Sequence, residues 1–292
     1  MSEMANDHGP VVQSALLRDE LVRLRTRADL AQDQVAVDLG WATSKLIRLE
    51  GGPGPVAPDD LDALLGRYGA TATATAERLR ELNRGADDAH WWAEYRNDVP
   101  AAYLDYVGWE RGAVRIRQFP GPVLPGLLQL TAYAEALTEM TGAPDRGARV
   151  VELRLRRQSE LAGRDNPPQQ HYILDEAVIR RRTEASRDRT IMTEQLRYIA
   201  RVAEGSGGRV IVQVIPFERG EHAGLSGPFT LLDFDGGLPG ILYLDPGRDP
   251  IEMTAHHHRV ADFTDTFERL RVAALPAAES LELIRGAVQD VA

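Results

Sequence analysis

The sequence predicts a mainly α-helical protein with an α+β part, in which an N-terminal five-helix domain precedes a C-terminal α+β domain with a small sheet. Three observations predict this fold class. Apolar residues recur at helical spacing from residue 14 to residue 84, whereas strand-like apolar runs alternate with helical segments after residue 90. A short polar stretch at 85–88 separates the two patterns. We therefore expect one domain at 14–84 and a second at 89–292.

Composition limits the class of protein. The chain has 292 residues, and its hydrophobic content of 43% is enough to fill a core in each domain. No apolar run approaches the roughly 20 residues that a membrane helix needs, and the N-terminus lacks the order of a signal peptide. We expect a cytoplasmic protein that does not bind a membrane. The sequence has no cysteine, which excludes disulfides, thiolate metal sites and cysteine nucleophiles.

The formal net charge of −10 argues against nucleic-acid binding, because phosphate contacts need positive groups. The charge is unevenly distributed, however. Residues 11–50 carry six basic and six acidic side chains, so this segment is neutral and the acidity lies elsewhere.

The N-terminal domain begins, by its pattern, after a polar tail at residues 1–13. Leu17, Leu21 and Leu24 have helical spacing, which predicts a first helix from Ser14 to about Ala28. Two short helices follow.

The first of these short helices spans 32–39 and ends at Gly40, which can adopt the left-handed conformation of a tight turn. Thr43 or Ser44 can cap the next helix, whose Leu46 and Leu49 face inward. Three glycines and three prolines at 51–58 end that helix. Two more helices are predicted, at 59–68 and 74–83.

The C-terminal domain mixes both patterns. Helical segments are predicted at 101–118, 130–140, 147–162 and 188–204, and strands at 172–174, 209–215, 229–234 and 241–244. Two final helices follow, one with Val260, Phe263, Phe267 and Leu270 on a single face and one at 277–288.

Two short helices joined by a glycine turn can place the second helix in the DNA major groove. The run LAQDQVAVDLGWATSKLIRLE, from Leu30 to Glu50, resembles the helix-turn-helix of the Xre and lambda-repressor-like family. The glutamine, the paired inward aliphatics, the turn glycine and the closing glutamate fall at the family's intervals. The resemblance covers about residues 14–84.

This resemblance implies a role for each residue that meets DNA. Gln32 falls where the family donates to a phosphate, which positions the domain without reading sequence. Thr43, Ser44 and Arg48 fall where the family reads base edges, and an arginine there can bond a guanine through two acceptors. Lys45 is expected to meet the DNA backbone.

Other positions either complete the family pattern or depart from it. Arg25 and Glu50 match a family pair that ties the first helix to the recognition helix. Ile47 puts an apolar side chain at a usually polar position, where it can touch a thymine methyl or pack within the domain. Ala31 and Ala42 lack the hydroxyl that is common at helix starts. The alternative to a DNA-binding function is that the N-terminal domain is a small helical bundle used for protein contacts.

Four segments of the second domain resemble actinobacterial Xre-type regulators of the WhiJ kind. They are HWWAEYRNDVP from His90, GPVLPGLLQ ending at Gln129, YILDEAVIRR from Tyr172, and VIVQVIPFERGEHAGLSGPFTLLDF ending at Phe234. The resemblance covers about residues 90–288. It implies a partner, because many such regulators are encoded near small proteins in an antitoxin-like arrangement.

Several residues invite a chemical interpretation, but none has the partners that catalysis needs. His222, in the glycine-rich loop 220–228, is expected to be an ordinary hydrogen-bonded histidine. The three histidines at 256–258 cannot converge on one metal ion, because consecutive helical residues point about 100° apart. We expect them to be a solvated helix start. Asp175 and Glu176 lack a phosphate loop or a nucleophile. We predict no catalytic residue, no metal and no cofactor.

The sequence thus predicts a DNA-binding transcriptional regulator that acts as a homodimer on a two-fold related operator. Its C-terminal domain is expected to dimerise and to receive a signal from a small ligand or a small partner protein. The alternative is an antitoxin-like scaffold in which DNA binding is secondary.

Overall fold

A computed structural model describes residues 8–52, 54–88, 90–140, 144–181, 189–245 and 251–291. The chain forms two compact units. One comprises residues 1–91 with 235–238, and the other comprises residues 92–234 with 239–292.

The N-terminal unit contains the five expected helices. They are α1 Gly9–Arg27, α2 Gln32–Asp38, α3 Thr43–Gly51, α4 Pro58–Arg67 and α5 Ala74–Ala86. Leucines at helical spacing form the core, since Leu17 and Leu21 of α1, Leu46 of α3 and Leu61 and Leu64 of α4 are almost completely buried. This confirms the helical pattern of the sequence.

The prediction of a tail up to residue 13 is wrong for residues 9–13, which are the first turns of α1. Pro10 lies in the first turn, where its missing N–H costs no helical hydrogen bond. Val12 and Gln13 are buried, so packing stabilises this early start. The tail residues 1–7 lie outside the described residues. At the other end, α5 continues past Asn83 through Gly85 and Ala86, which are also buried.

The predicted cap of α3 is also wrong. Ala42 occupies the N-cap position in an extended conformation and has no side-chain acceptor, while Thr43 is already the first helical residue. Neither Thr43 nor Ser44 therefore caps the helix. The reason is the turn, in which Gly40 has a φ of 66° and brings the chain into α3 one residue earlier than the hydroxyls predict.

The C-terminal unit is built on a six-stranded sheet in the order β3-β2-β1-β4-β5-β6. The strands are β1 Arg115–Phe119, β2 Gln169–Asp175, β3 Val210–Ile215, β4 Phe229–Asp233, β5 Ile241–Leu244 and β6 Glu252–Thr254. β1, β2 and β3 are parallel, and β4, β5 and β6 continue the sheet in antiparallel pairs. β1 joins the two halves, because Gln118 lies opposite Tyr172 on one side and Thr230 on the other.

Helices and single 3₁₀ turns connect and cover these strands. The helices are α6 Ala101–Gly112, α7 Thr131–Met140, α8 Pro144–Ala162, α9 Glu176–Arg180, α10 Arg189–Gly205, α11 His257–Ala273 and α12 Ala277–Val291. The 3₁₀ turns relevant below are Gly126–Leu128, Phe217–Arg219 and Ala223–Ser226. The expected α+β class is confirmed.

The predicted helix through residue 118 is wrong, because α6 ends at Gly112 and residues Arg115–Phe119 form β1. Ile116 and Phe119 are buried in this strand, whereas Arg115 is exposed. Strand β6 was not predicted from the sequence either. It is three residues long and none of them is fully buried.

The main core of the C-terminal unit lies between the sheet and α11. It joins residues of β1 to β5 with the helix, namely Phe119, Ile173, Ile215, Phe229, Leu231, Leu242, Phe267, Leu270 and Ala274. Val260 and Phe263 pack against its edge. This confirms the apolar face that the sequence assigns to α11. No helix in the described ranges is long and apolar enough to cross a membrane.

Candidate nucleic-acid interface

The α2–α3 turn has the geometry of a helix-turn-helix. α2 packs against the rest of the domain through the buried residues Val35 and Ala36, and α3 packs against it through the buried residue Leu46. Between them the N–H of Trp41 donates to the carbonyl of Ala36 at 2.8 Å, which closes the turn around Gly40. These contacts fix one face of α3 and leave the other face open.

The open face carries four of the predicted DNA-binding residues. Thr43, Ser44, Ile47 and Arg48 are spaced i, i+1, i+4 and i+5, which places them side by side on a helix. Ser44 and Arg48 are exposed, Thr43 is half-buried and Ile47 is 53% exposed. Ile47 therefore exposes more than half of its surface on this face, and its contact with a thymine methyl stays a prediction. We refer to these four residues as the α3 face.

Lys45 lies off the α3 face and has partners within the domain. Its Nζ is 2.6 Å from Oδ1 of Asp60 and 4.0 Å from the ring centre of Trp41. Asp60 belongs to the first turn of α4. The sequence did not indicate this ion pair, because 15 residues and a loop separate its members.

Glu50 is the centre of a buried network behind the α3 face. Its carboxylate accepts from Nε and a terminal nitrogen of Arg25 at 2.7 and 3.0 Å, and Arg25 also donates to the carbonyl of Leu30 at 2.9 Å. The expected pairing of Arg25 with Glu50 is confirmed. Burial and the nearby Glu50 charge raise the pKa of Tyr68, whose hydroxyl donates to Glu50 at 3.4 Å.

Gln32 belongs to this network as well. Its Nε2 donates to Oε2 of Glu50 at 2.7 Å, which orients the amide at the first residue of α2. An amide nitrogen carries two hydrogens, so the second one is left for another acceptor. The sequence predicts Gln32 only as a phosphate ligand and gives no sign of its bond to Glu50.

The segment after α3 is held by buried polar groups. Arg18 donates to the carbonyl of Gly54 at 2.6 Å, and Ser14 donates to the same oxygen at 3.0 Å. Burial lowers the pKa of Arg18. The amide of Asn83 bonds both the N–H and the carbonyl of Val56, at 2.8 and 2.7 Å. These bonds fix the position of the chain where it leaves α3.

In the C-terminal unit, the side chain of His222 makes hydrogen bonds that hold the loop 220–228 in place. One ring nitrogen, Nε2, bonds Oδ2 of Asp175 at 3.0 Å, and Nδ1 accepts from the N–H of Gly224 at 3.2 Å. A ring nitrogen that accepts a backbone N–H carries no proton, so the proton lies on Nε2. Both nitrogens are engaged, and the expectation of an ordinary hydrogen-bonded histidine is confirmed.

The neighbouring carboxylates have separate structural partners. Asp175 also caps α9 by accepting from the N–H of Ala177 at 2.7 Å. Glu176 accepts from the N–H of Phe217 at 2.8 Å and pairs with Arg180 at 3.1 Å. The two carboxylates thus hold the chain around the ends of β2 and β3.

The histidine triplet at 256–258 is exposed at the start of α11, with His256 at the N-cap. The expected solvated helix start is confirmed. Among the residues that the structure describes, no three His, Cys, Asp or Glu side chains could hold a metal ion together.

Comparison with known families assigns both units. Residues 16–79 match a helix-turn-helix domain, a class that binds DNA and regulates transcription, and this match spans α1 to α5. Residues 103–286, more than half of the chain, match a domain of unknown function, DUF5753. No curated protein and no solved structure gives a match. The chain therefore belongs to the DUF5753 family and carries a DNA-binding helix-turn-helix domain on its N-terminal side.

Proposed function

We propose that this protein is a sequence-specific transcriptional regulator of the Xre class, which binds a double-stranded DNA operator through the α3 face. The observation that supports this proposal is the contrast between the two faces of α3. Leu46 and the Glu50 network fix its inner face, while Thr43, Ser44, Ile47 and Arg48 lie together on the outer face. A rigid helix with polar and basic side chains outward suits the major groove.

Each residue has a distinct role in this proposal. Arg48 bonds a guanine through two acceptors, Thr43 and Ser44 bond base edges, and Ile47 contacts a thymine methyl. Gln32 donates its second amide hydrogen to a phosphate beside the start of α2. Lys45 contacts the DNA backbone.

The finer organisation follows from the geometry of recognition. One helix contacts few base pairs, so we propose a homodimer in the cytoplasm on a two-fold related operator. The C-terminal domain, in the manner of the WhiJ kind, receives a small-ligand or small-protein signal. We propose that it binds and does not catalyse, which is supported by the engagement of both ring nitrogens of His222.

A mobility-shift titration with the protein's own upstream region tests the proposal. Arg48→Ala should weaken specific binding about tenfold to hundredfold, because a bidentate contact to guanine contributes about 1–3 kcal/mol. Arg84→Ala is the matched control, since it removes an exposed arginine from α5. Binding should weaken with salt. Equal affinities of the two variants for the operator would contradict the role of the α3 face.

The antitoxin-like partner function is a second candidate. It is supported by two large apolar side chains in the segment 217–226, where Phe217 is 60% and Leu225 is 69% exposed. Contiguous exposed apolar surface is typical of interaction sites, and these two side chains belong to one short segment. Calorimetry with the small protein encoded nearby should show heat that Phe217→Ser reduces. The absence of heat with the unchanged protein would contradict this function.

A further inference from the structure

The C-terminal unit contains an open pocket of about 230 Å³ at the amino ends of two parallel strands. Gln170 of β2 and Val210 of β3 form one side, and residues of α8 and α10 form the others. Asp175 is the last residue of β2, at the opposite, carboxyl end of the parallel strands, and His222 bonds to it there. The pocket is therefore separate from that cluster.

The walls of the pocket are mostly apolar. Leu128, Leu161 and Val210 are each at least nine-tenths buried and contribute to its lining. A cavity of this size holds several water molecules, since one needs about 10–15 Å³ of such space. An apolar cavity with a few fixed polar groups is typical of a small-molecule site. The space suits a compact ligand with an apolar body.

Two glutamines that line the pocket are held in fixed orientations by bonds outside it. The nitrogen of Gln158 donates to the carbonyls of Gly126 and Gln129 at 2.9 and 2.8 Å. Its oxygen is therefore the atom left to accept. The oxygen of Gln170 accepts from the hydroxyl of buried Tyr172 at 2.7 Å, which leaves its nitrogen to donate.

Two further lining residues add donors. Within the described ranges, neither the hydroxyl of Tyr198, on α10, nor the exposed guanidinium of Arg209 has a hydrogen-bond or ion-pair partner. Together with Gln170 they supply three kinds of donor, against one fixed acceptor on Gln158. A carboxylate accepts several hydrogen bonds and pairs with a guanidinium.

We propose that this pocket binds a small carboxylic acid with an apolar body, as the effector of the regulator proposed above. The apolar body lies against Leu128, Leu161 and Val210. The carboxylate accepts from Tyr198 and Arg209 at the mouth.

Calorimetry of the full-length protein with hexanoate and with phenylacetate tests the proposal. At least one acid should bind saturably, and its uncharged counterpart, methyl hexanoate or phenylacetamide, should bind more weakly. Arg209→Gln should weaken binding of the acid about fivefold, because it removes a charge-assisted hydrogen bond. Arg201→Gln, an exposed arginine of α10 that does not line the pocket, should have no effect. Ala162→Trp, which adds an indole at an exposed position of the pocket lining, should weaken binding.

Each result that contradicts an expectation bears on a different part of the proposal. Absence of saturable binding for both acids would overturn the proposal, and so would binding that Ala162→Trp leaves intact. Equal binding of acid and uncharged counterpart, with no effect of Arg209→Gln, would overturn the carboxylate assignment. Circular dichroism would show a folding defect in Ala162→Trp. In that case the comparison of Arg209→Gln with Arg201→Gln decides whether the acid binds in the pocket. A mobility shift of the unchanged protein reports separately on whether the DNA-binding proposal has failed.

Discussion

At the scale of residues, Glu50 determines how α3 is presented. Its carboxylate accepts from Arg25 of α1, Gln32 of α2 and Tyr68 after α4, so one side chain joins four helices. A carboxylate this well buried is stable only while its donors remain in place, because removal of one partner leaves the others unsatisfied. The orientation of the α3 face therefore depends on a buried residue that is not part of that face.

Glu50→Gln should lower the free energy of local opening around α3 by about 2 kcal/mol, because Arg25 loses a buried charged partner. Amide hydrogen exchange of residues 46–50 measures this quantity. The control is Glu77→Gln, an exposed position on α5, where a change within about 0.5 kcal/mol is expected. Similar protection in the two variants would show that the network does not stabilise α3.

Lys45 gives a second prediction at this scale, because Asp60 neutralises it in the free protein. Asp60→Asn should raise the affinity for any duplex about fivefold at low salt, since a partly exposed ion pair such as this contributes up to about 1 kcal/mol. The slope of log affinity against log salt should steepen by up to about 0.9, because Asp60 no longer offsets the contact of Lys45 with a phosphate. Filter-binding titrations measure both quantities.

Asp59→Asn is the matched control for that measurement, because it removes the same charge from the same turn of α4 and Asp59 has no ion pair in the described structure. If the two variants bind DNA alike, then net charge accounts for the effect and the Lys45–Asp60 pair does not.

At the scale of elements, the helix-turn-helix was predictable because its signals are local. Val35, Ala36 and Leu46 mark the inner faces, Gly40 marks the turn, and the 3.6-residue period then gives the α3 face. The partners of Lys45 and Gln32 were not predictable, because they come from other helices. Strand β1 was missed for a related reason, since its five residues become a strand by pairing with β2 and β4, which are distant in sequence.

The turn itself can be tested with two glycines. Gly40→Ala should destabilise the protein by about 1 kcal/mol, because its φ of 66° is strained for an L side chain while nothing lies within 4 Å of an added Cβ. Gly51→Ala, in α3, meets no atom either but has helical geometry, so no loss is expected. Urea denaturation compares the variants. A loss at Gly51 as large as at Gly40 would contradict strain as the cause.

At the scale of the whole molecule, stability depends on contacts that join strands to helices across the C-terminal sheet. His171 of β2 bonds the side-chain oxygen of Gln213 of β3 at 2.8 Å, and Gln213 donates to the carbonyl of Leu275 at 2.7 Å. Phe267 of α11 packs edge-on against the imidazole, with ring centres 5.1 Å apart. The charge state of this one histidine therefore affects the junction of β2, β3, α11 and the segment that follows α11.

Burial lowers the pKa of His171 below its usual 6.5, and the bond to Gln213 opposes this only in part. Arg271 and Arg117 also disfavour the charged ring, whereas Glu268 favours it. Above pH 6.5 the ring is neutral in both the folded and the unfolded chain. Below that pH the unfolded chain takes up the proton first, so folding stability is lost as the pH falls toward the folded pKa.

His171→Gln should reduce this loss, because glutamine does not titrate and retains an amide donor for Gln213. Urea midpoints at pH 7.5, 6.5 and 5.5 should fall less steeply for this variant than for the unchanged protein. His256→Gln removes a histidine that is exposed at the start of α11, so its midpoints should follow those of the unchanged protein. If the slope of His171→Gln instead matches that of His256→Gln, the buried imidazole does not carry the acid sensitivity of the fold.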